Sequence, residues 1–378
     1  MISKILLTLN WLPHYYAREI RRTISGERVK PKHVYFCICD HFEPYWGGVN
    51  SSVARNRIQR WLDEYPKISD KHRDSDGQRL KYSFFYPEEE YRAEDLNALA
   101  DLCHAGYGEV EIHLHHDNDT PENLRRTLLD YKQRLYEQHG LLSTNKQSGE
   151  ISYGFIHGNW ALDNSRPDGR WCGVNNEITI LQETGCYADF TLPSAPSDTQ
   201  TRKVNSIYYA IDDPAKPKSH DWGLDAEVEK NREGLLMVQG PLSLNWRKMK
   251  FGMFPRIENS GLFGNNPPSK ERVESWFDTG ISVQGAPEHV FVKLYTHGTQ
   301  ESVMRMLFDD NGFQCMFDAL KEFSVKCNTK MHFVSARELT NMVSAIIDGK
   351  CCSREQAVDY KFITSTASDF RQFGDSSL

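Results

Sequence analysis

The sequence predicts an α/β protein, an irregular (β/α)7-type barrel with long loop insertions. Three observations lead there. Short apolar strands alternate with helical segments about seven times along the chain, which is the α/β rhythm. The strands are short and apolar enough to be buried on one or both faces of a parallel sheet. Unusual polar groups collect where four of them end: Asp40-His41, His113 to Asp117, His157 to Trp160, and His297. In a parallel α/β fold such ends converge on one rim.

Each element has a local cause. His33 to Cys39 is an apolar strand ending at Asp40-His41-Phe42-Glu43-Pro44, and a helix follows from Val53 to Tyr65. Tyr82 to Tyr86 is a short aromatic strand. Ala93 to Ala105 is a helix stopped by Gly106 and Gly108. In Glu109 to His115, Val110, Ile112 and Leu114 alternate with Glu109, Glu111, His113 and His115, the period of a strand. Thr120-Pro121 opens a long helix, with proline at its first position, that runs to His139 before Gly140. Ser152 to His157 is a strand, Asn175 to Thr184 a helix ended by Gly185, and Ala188 to Pro193 a strand. Leu235 to Val238 and His289 to Tyr295 are further strands. Glu301 to Val325 is largely helical, and the strand Lys330 to Val334 leads into the helix Ala336 to Ile347.

Three domain segments follow. Residues 1–30 form an N-terminal amphipathic helix that covers the domain, residues 31–350 the barrel, and residues 351–378 a loosely ordered tail. Insertions near 194–234 and 247–275, rich in Pro, Gly, Asn and charged residues, break the rhythm and read as long loops over one end.

Composition narrows the function classes. Aliphatic and aromatic residues make up 39% of the 378 residues, ample for a core. A net charge of −7 argues against a nucleic-acid partner, which would call for a basic face. No apolar run reaches the ~18 residues that read as a membrane span. The N-terminal segment lacks the apolar core and cleavage site of a signal peptide. With its Trp and Tyr residues and basic end, peripheral membrane contact is a secondary expectation. The cysteines show no zinc-ribbon spacing and fit reduced thiols in the cytoplasm.

The ligand-rich stretch at His113–Asp117 carries the chemistry. Two imidazoles on one strand face, with His116 and Asp117 where the strand ends, suit a divalent transition metal, usually zinc. His113 with His115 is the plain strand pair. His113 with Asp117 is a pair around a turn, and the residues alone leave the choice open.

The order of elements resembles the NodB-type polysaccharide deacetylases, carbohydrate esterase family 4, of the glycoside hydrolase/deacetylase superfamily. The likeness spans residues 33–347 by element order. It rests on Val34 to Asp40-His41 for the first motif and on Ser83-Phe84-Phe85 for the next strand. Glu109-Val110-Glu111-Ile112-His113, with Asp117 four later, stands for the second motif, and Leu294-Tyr295-Thr296-His297 for the last. The third motif's Arg-x-Pro loop is matched only loosely, by Arg166-Pro167. The resemblance implies a metal held by His41, His113 and Asp117, with His116 or His115 as alternative ligands. The family's set of one Asp and two His is kept, with two members exchanged. It implies Asp40 as the base and His297 as the acid in removal of an acetyl group from a saccharide. Trp46 and Trp160 are candidates for stacking on sugar rings, and Arg166 for an anchor; Glu43 and Asp163 are weaker candidates. Two other readings are a glycoside hydrolase with paired carboxylates, Asp40 with Glu43, Asp117 or Asp163, and a non-catalytic glycan-binding relative. A cytoplasmic member would act on a nucleotide- or lipid-linked saccharide. Oligomeric state is not legible.

Overall fold

The structure is a computed structural model that describes residues 2–250, 254–350 and 353–364. Its strands are β1 (His33–His41), β2 (Tyr82–Pro87), β3 (Gly108–Leu114), β4 (Ser143–Asn145), β5 (Ile151–His157), β6 (Cys186–Asp189), β7 (Ile207–Ala210), β8 (Leu224–Asp225), β9 (Leu235–Val238), β10 (Ser243–Lys250), β11 (Phe254–Glu258), β12 (Gly261–Leu262), β13 (His289–Thr296), β14 (Lys330–Phe333) and β15 (Phe362–Thr364). The helices are α1 (Ile2–Ile24), α2 (Ser51–Ser69), α3 (Ala93–His104), α4 (Pro121–His139), α5 (Glu177–Glu183), α6 (Lys270–Asp278), α7 (Glu301–Met304), α8 (Gly312–Cys327), α9 (Ala336–Ile347) and α10 (Arg354–Ala357).

A single large, mostly parallel sheet organises the chain, in the order β12-β13-β1-β2-β3-β5-β6-β9-β7-β8. Strand β1 is its centre. It pairs along its length with β13 on one side, and on the other with β14 at its start and β2 at its end. Two-residue alternation then sorts the side chains. On one face Phe36, Ile38, Phe84, Val110, Ile112 and Phe155 pack against helices α2, α3, α4 and α8. On the other, Cys37, Cys39, Phe85, Ile156 and Phe291 pack with Leu339, Met342 and Val343 of α9.

The helices begin where capping side chains allow. Asn50 accepts from the Val53 amide, Thr120 from that of Asn123 with Pro121 next in line, and Ser335 and Glu338 form a reciprocal capping box. Gly140 closes α4 in the left-handed region at φ 64°. The expected helix Glu301 to Val325 is broken: α7 runs into a π turn over Arg305–Asp309, and Asn311, at φ 60°, restarts it as α8.

Helix α1 covers the domain as its pattern predicts. Trp11 is buried against Ala195, Val204 and Leu242. Arg18 donates to the carbonyls of Thr279 and Gly280, and Arg22 to that of Asp278. Leu6, Leu9, Tyr16, Ile20 and Ile24 stay exposed along its outer side. None of the helices described is long and apolar enough to cross a membrane.

The two insertions hold more regular structure than a loop reading allows. Residues 194–234 add β7 and β8, which continue the sheet antiparallel from β9. Residues 247–275 hold part of the β10–β11 hairpin, β12 and the start of α6. The tail also departs from expectation as far as it is described. Residues 353–364 are docked, with β15 paired to β4, while 351–352 and 365–378 lie outside the described residues. The reason is Arg337 on α9. It donates to the Val358 and Phe362 carbonyls and pairs with Asp359, and Asn341 beside it meets the same backbone.

Arg337 also reaches the buried end of β3. Its Nη2 lies 2.8 Å and its Nε 3.1 Å from the two oxygens of Glu109, and Ser335 adds a third donor. Burial alone would raise the Glu109 carboxyl, but Arg337 and Lys81 override it and hold it at about 2. A depressed carboxylate stabilises the fold above its unfolded pKa and loses that contribution as pH falls through the folded value. Breaking the pair from either side leaves an uncompensated buried charge, at a cost of about 3–5 kcal/mol. Glu109→Gln should therefore unfold at lower denaturant concentration at neutral pH. Its deficit against wild type should shrink as pH falls from about 4.5 towards 2; a deficit independent of pH would count against the pairing.

Candidate metal centre

Parallel pairing sets the C-terminal ends of β13, β1, β2, β3 and β5 side by side. Asp40 lies opposite Thr296, Pro87 opposite His113, and Leu114 opposite His157. On the α9 face of this rim, the carboxylate of Glu43 is the hub of a histidine cluster.

His113 is fully buried on β3. Its Nδ1 lies 2.7 Å from the carbonyl oxygen of Ile156. A carbonyl only accepts, so Nδ1 carries a proton and donates it. Nε2 faces Glu43 Oε1 at 3.1 Å, where it hydrogen-bonds the carboxylate when protonated and offers a lone pair when not. Two acceptors at that distance require a cation between them, a proton or a metal ion. His115, two residues on and on the same face, places Nε2 3.2 Å from the same oxygen. Its Nδ1 meets Glu89 just past β2. His297, just past β13, places Nδ1 3.2 Å from Glu43 Oε2. His41, at the end of β1, completes the group. Its Nε2 is buried with no hydrogen-bond partner, and its ligand nitrogen lies within 4.8 Å of a Glu43 carboxylate oxygen and a His297 ring nitrogen.

The Glu43 loop is itself pinned. Thr299 donates to the Glu43 carbonyl, and Arg57 to those of Pro44 and Trp46. Burial would raise the Glu43 carboxyl, but hydrogen bonds with His113, His115 and His297 hold it well below the usual range. Burial, with His297 and His113 alongside, pushes His41 well below the usual imidazole value, which keeps its lone pair free. Burial also works against charge on His115, yet Glu43 and Glu89 lift it to about 10. Two overlapping groups share the Glu43 carboxylate, one with His41 and His297 and one with His113 and His115, and each could hold a divalent transition metal.

The structure brings together His41, His113 and His297 of the residues singled out from sequence, and it separates the others. Asp40 falls on the opposite face of β1 from His41 and Glu43, the side of Ile38 and Phe42. It is fully buried, and its Oδ1 accepts the Gly298 amide at 2.6 Å while Oδ2 has no hydrogen-bond partner. Burial pushes it up to about 7. That position orders the His297–Gly298 turn rather than facing the cluster. Asp117 is exposed and caps the turn through the amides of Asn118 and Trp171. His116, just past the end of β3, turns away from His115 and joins His157, Cys172 and Glu177 in a second group.

Trp160 stands beside the Glu43 cluster, its ring centroid 6.1 Å from that of His41 and 6.2 Å from that of His297. Trp46 lies half exposed near the mouth of the loop. Arg166 is tied to Asp168 and Asp198 and stacks on Trp171, so it belongs to the 166–171 turn. Asp163 is buried and holds the Ser219 amide. Glu89, Cys172 and Glu177 had no place in the sequence reading, and Glu43 only a weak one. Period two was the available signal for Glu43: it follows His41 by two and shares its face.

Gly298 has no room for a side chain. A Cβ there would collide with Asp40 Oδ2 and Trp61. Gly298→Ala should cost about 1–3 kcal/mol by overpacking and displace His297, so that both the thermal midpoint and the affinity for added zinc fall. An unchanged midpoint would contradict the packing described.

A scan against protein-family models and a search of the curated proteins find no match to this chain.

Proposed function

We propose that the protein is a metal-dependent hydrolase that removes an N- or O-linked acetyl group from a saccharide. The observation that carries the proposal is the Glu43 carboxylate facing His113, His115 and His297 at 3.1, 3.2 and 3.2 Å on the rim of a parallel sheet. Acylated saccharide as the substrate class rests on the resemblance in motif order to the polysaccharide deacetylases. The same proposal takes the sheet as a barrel-like wall. Its support is Lys293 on β13, whose Nζ donates to the Phe190 and Leu192 carbonyls beyond β6, reaching across the α9 face.

Glu43, His41, His113 and His297 would hold the ion, and imidazole with carboxylate suits zinc. When bound, a divalent cation there supplies Lewis acidity towards an acyl oxygen and a more acidic water. The protein's own groups do the rest. His115 is partly exposed, and Glu43 and Glu89 keep it protonated at neutral pH, so it is placed to donate a proton to the leaving amine or hydroxyl and to be recharged by the proton the attacking water gives up. Asp40 fixes the turn that carries His297. Trp160 offers an aromatic wall against which a sugar ring can pack. The unpaired state of the described cysteines agrees with a reducing, cytoplasmic setting.

Purified protein should contain stoichiometric zinc and release acetate from an acetylated chito-oligosaccharide, and chelation should abolish the release. Glu43→Gln and His113→Ala should each lower zinc affinity at least tenfold. Asp40→Asn should keep the metal and lose part of the rate. Metal-independent cleavage of an aryl glycoside, or zinc content unaffected by either ligand variant, would overturn the reading.

Membrane-surface contact, if it occurs, would use the exposed stripe of α1. Sedimentation with anionic vesicles should then be lost in Leu9→Asp/Ile20→Asp, and a wild type that stays in the supernatant would remove that partner.

A further inference from the structure

The second histidine group lies on the other face of the same rim and takes no part in the chemistry above. It draws on four separate stretches of chain. His116 follows β3, His157 ends β5, Cys172 sits in the loop beyond, and Glu177 opens α5. Their ligand atoms lie within 4.8 Å of one another, three of the residues are fully buried, and His116 is nearly so.

Each donor is already oriented. His157 Nδ1 lies 2.6 Å from the Gly158 carbonyl oxygen and therefore donates to it. Its Nε2 is left as a lone pair, buried and without a hydrogen-bond partner, 3.5 Å from Glu177 Oε2. His116 turns Nδ1 towards Asp119 Oδ2 at 3.1 Å and Nε2 towards Glu177 Oε1 at 3.3 Å. That is the carboxylate–imidazole arrangement that orients a metal-binding histidine. Cys172 Sγ lies 3.4 Å from Glu177 Oε2. The amides of Asn164 and Val174 point at this sulfur from 3.3 and 3.4 Å, as donors that would stabilise a thiolate. Glu177 Oε2 also accepts the Asp163 amide at 2.6 Å.

We infer that His116, His157, Cys172 and Glu177 form a second metal site, a closed four-ligand zinc site with a structural role. Two imidazoles, a thiolate and a carboxylate select a borderline-soft ion such as zinc over calcium or magnesium. Four protein donors leave no position open for substrate, the mark of a structural rather than a catalytic centre. What it would fix is the loop 158–176. That loop has only two short 3-10 turns and places Asn159, Trp160, Asp163, Asn164 and Trp171 in the left-handed region. It also carries Trp160 to the Glu43 cluster, so the second ion would position one wall of the first site without touching its substrate.

Sulfur makes the site separately readable, because the Glu43 cluster contains none. Full-length protein loaded with cobalt(II) should show a thiolate-to-cobalt charge-transfer band in the near ultraviolet. X-ray absorption of the zinc form should show a sulfur neighbour. Both signals should vanish in Cys172→Ser, with loss of one zinc equivalent, and weaken in His157→Ala. They should persist in Glu43→Gln and His113→Ala, which empty the other cluster. Should Cys172→Ser fail to fold, the wild-type spectra decide alone. Absence of sulfur from the wild-type metal environment, or a band that survives Cys172→Ser, overturns the site. Failure of the deacetylase reading leaves these signals untouched.

Discussion

Both histidine groups depend on one constraint: the proton that a backbone carbonyl takes from a buried imidazole. Strand β5 and the turn that follows it each supply such a carbonyl, Ile156 to His113 and Gly158 to His157. In each case the hydrogen bond fixes Nδ1 as a donor and turns Nε2 towards a buried carboxylate, Glu43 on one side and Glu177 on the other. Neither carboxylate has a lysine or arginine partner among the described residues; their ion pairs are with histidines only. Buried charges are costly unless paired. Protons on the facing imidazoles pair these carboxylates, and a metal ion seated between the same atoms would do so in their place.

Strand alternation decides which group each residue enters. Even-numbered residues of β1 face the large helices and odd-numbered ones face α9. Asp40 therefore leaves the side of His41, and Glu43 returns to it. His115 and His116, just past the end of β3, also part, so adjacent histidines serve opposite faces of one sheet. The rim holds two donor sets because the sheet between them keeps them apart.

This also explains what was legible in the sequence. The order of strands and helices was, since apolar period and glycine stops are local signals; Leu235–Val238 and Ala336–Ile347 end where those signals end. His113 was legible for the same reason. Among the choices that went elsewhere, Asp40 as a base and Asp117 as a ligand set motif analogy above the alternation of the strand. Short strands such as Ile207–Ala210 carry too few residues to show a period, and they form because β9 offers an edge. The docking of residues 353–364 depends on Arg337, whose partners are distant in sequence. Cys172 had no local signal at all: a lone cysteine becomes a ligand only when a loop folds over β5.

The charges on the α9 face show what a cation at the rim would balance. Three titratable groups lie there, Glu109 and Glu111 on β3 and Lys293 on β13, and each is settled differently. Glu109 is matched by Arg337. Glu111 is pushed up to about 8 by burial, against hydrogen bonds from Tyr187 and the Gly154 amide, so it is mostly neutral at physiological pH. Lys293, the cation that burial leaves near the rim, has its Nζ committed to the Phe190 and Leu192 carbonyls and its pKa lowered. Nothing on this face remains to balance Glu43 except protons on its imidazoles. Protonating all three would bring more positive charge into a buried site than one carboxylate can match. A single divalent ion would engage the same nitrogens through their lone pairs and ask for no such protons, so the donor set could hold a metal ion in place of a salt-bridge network.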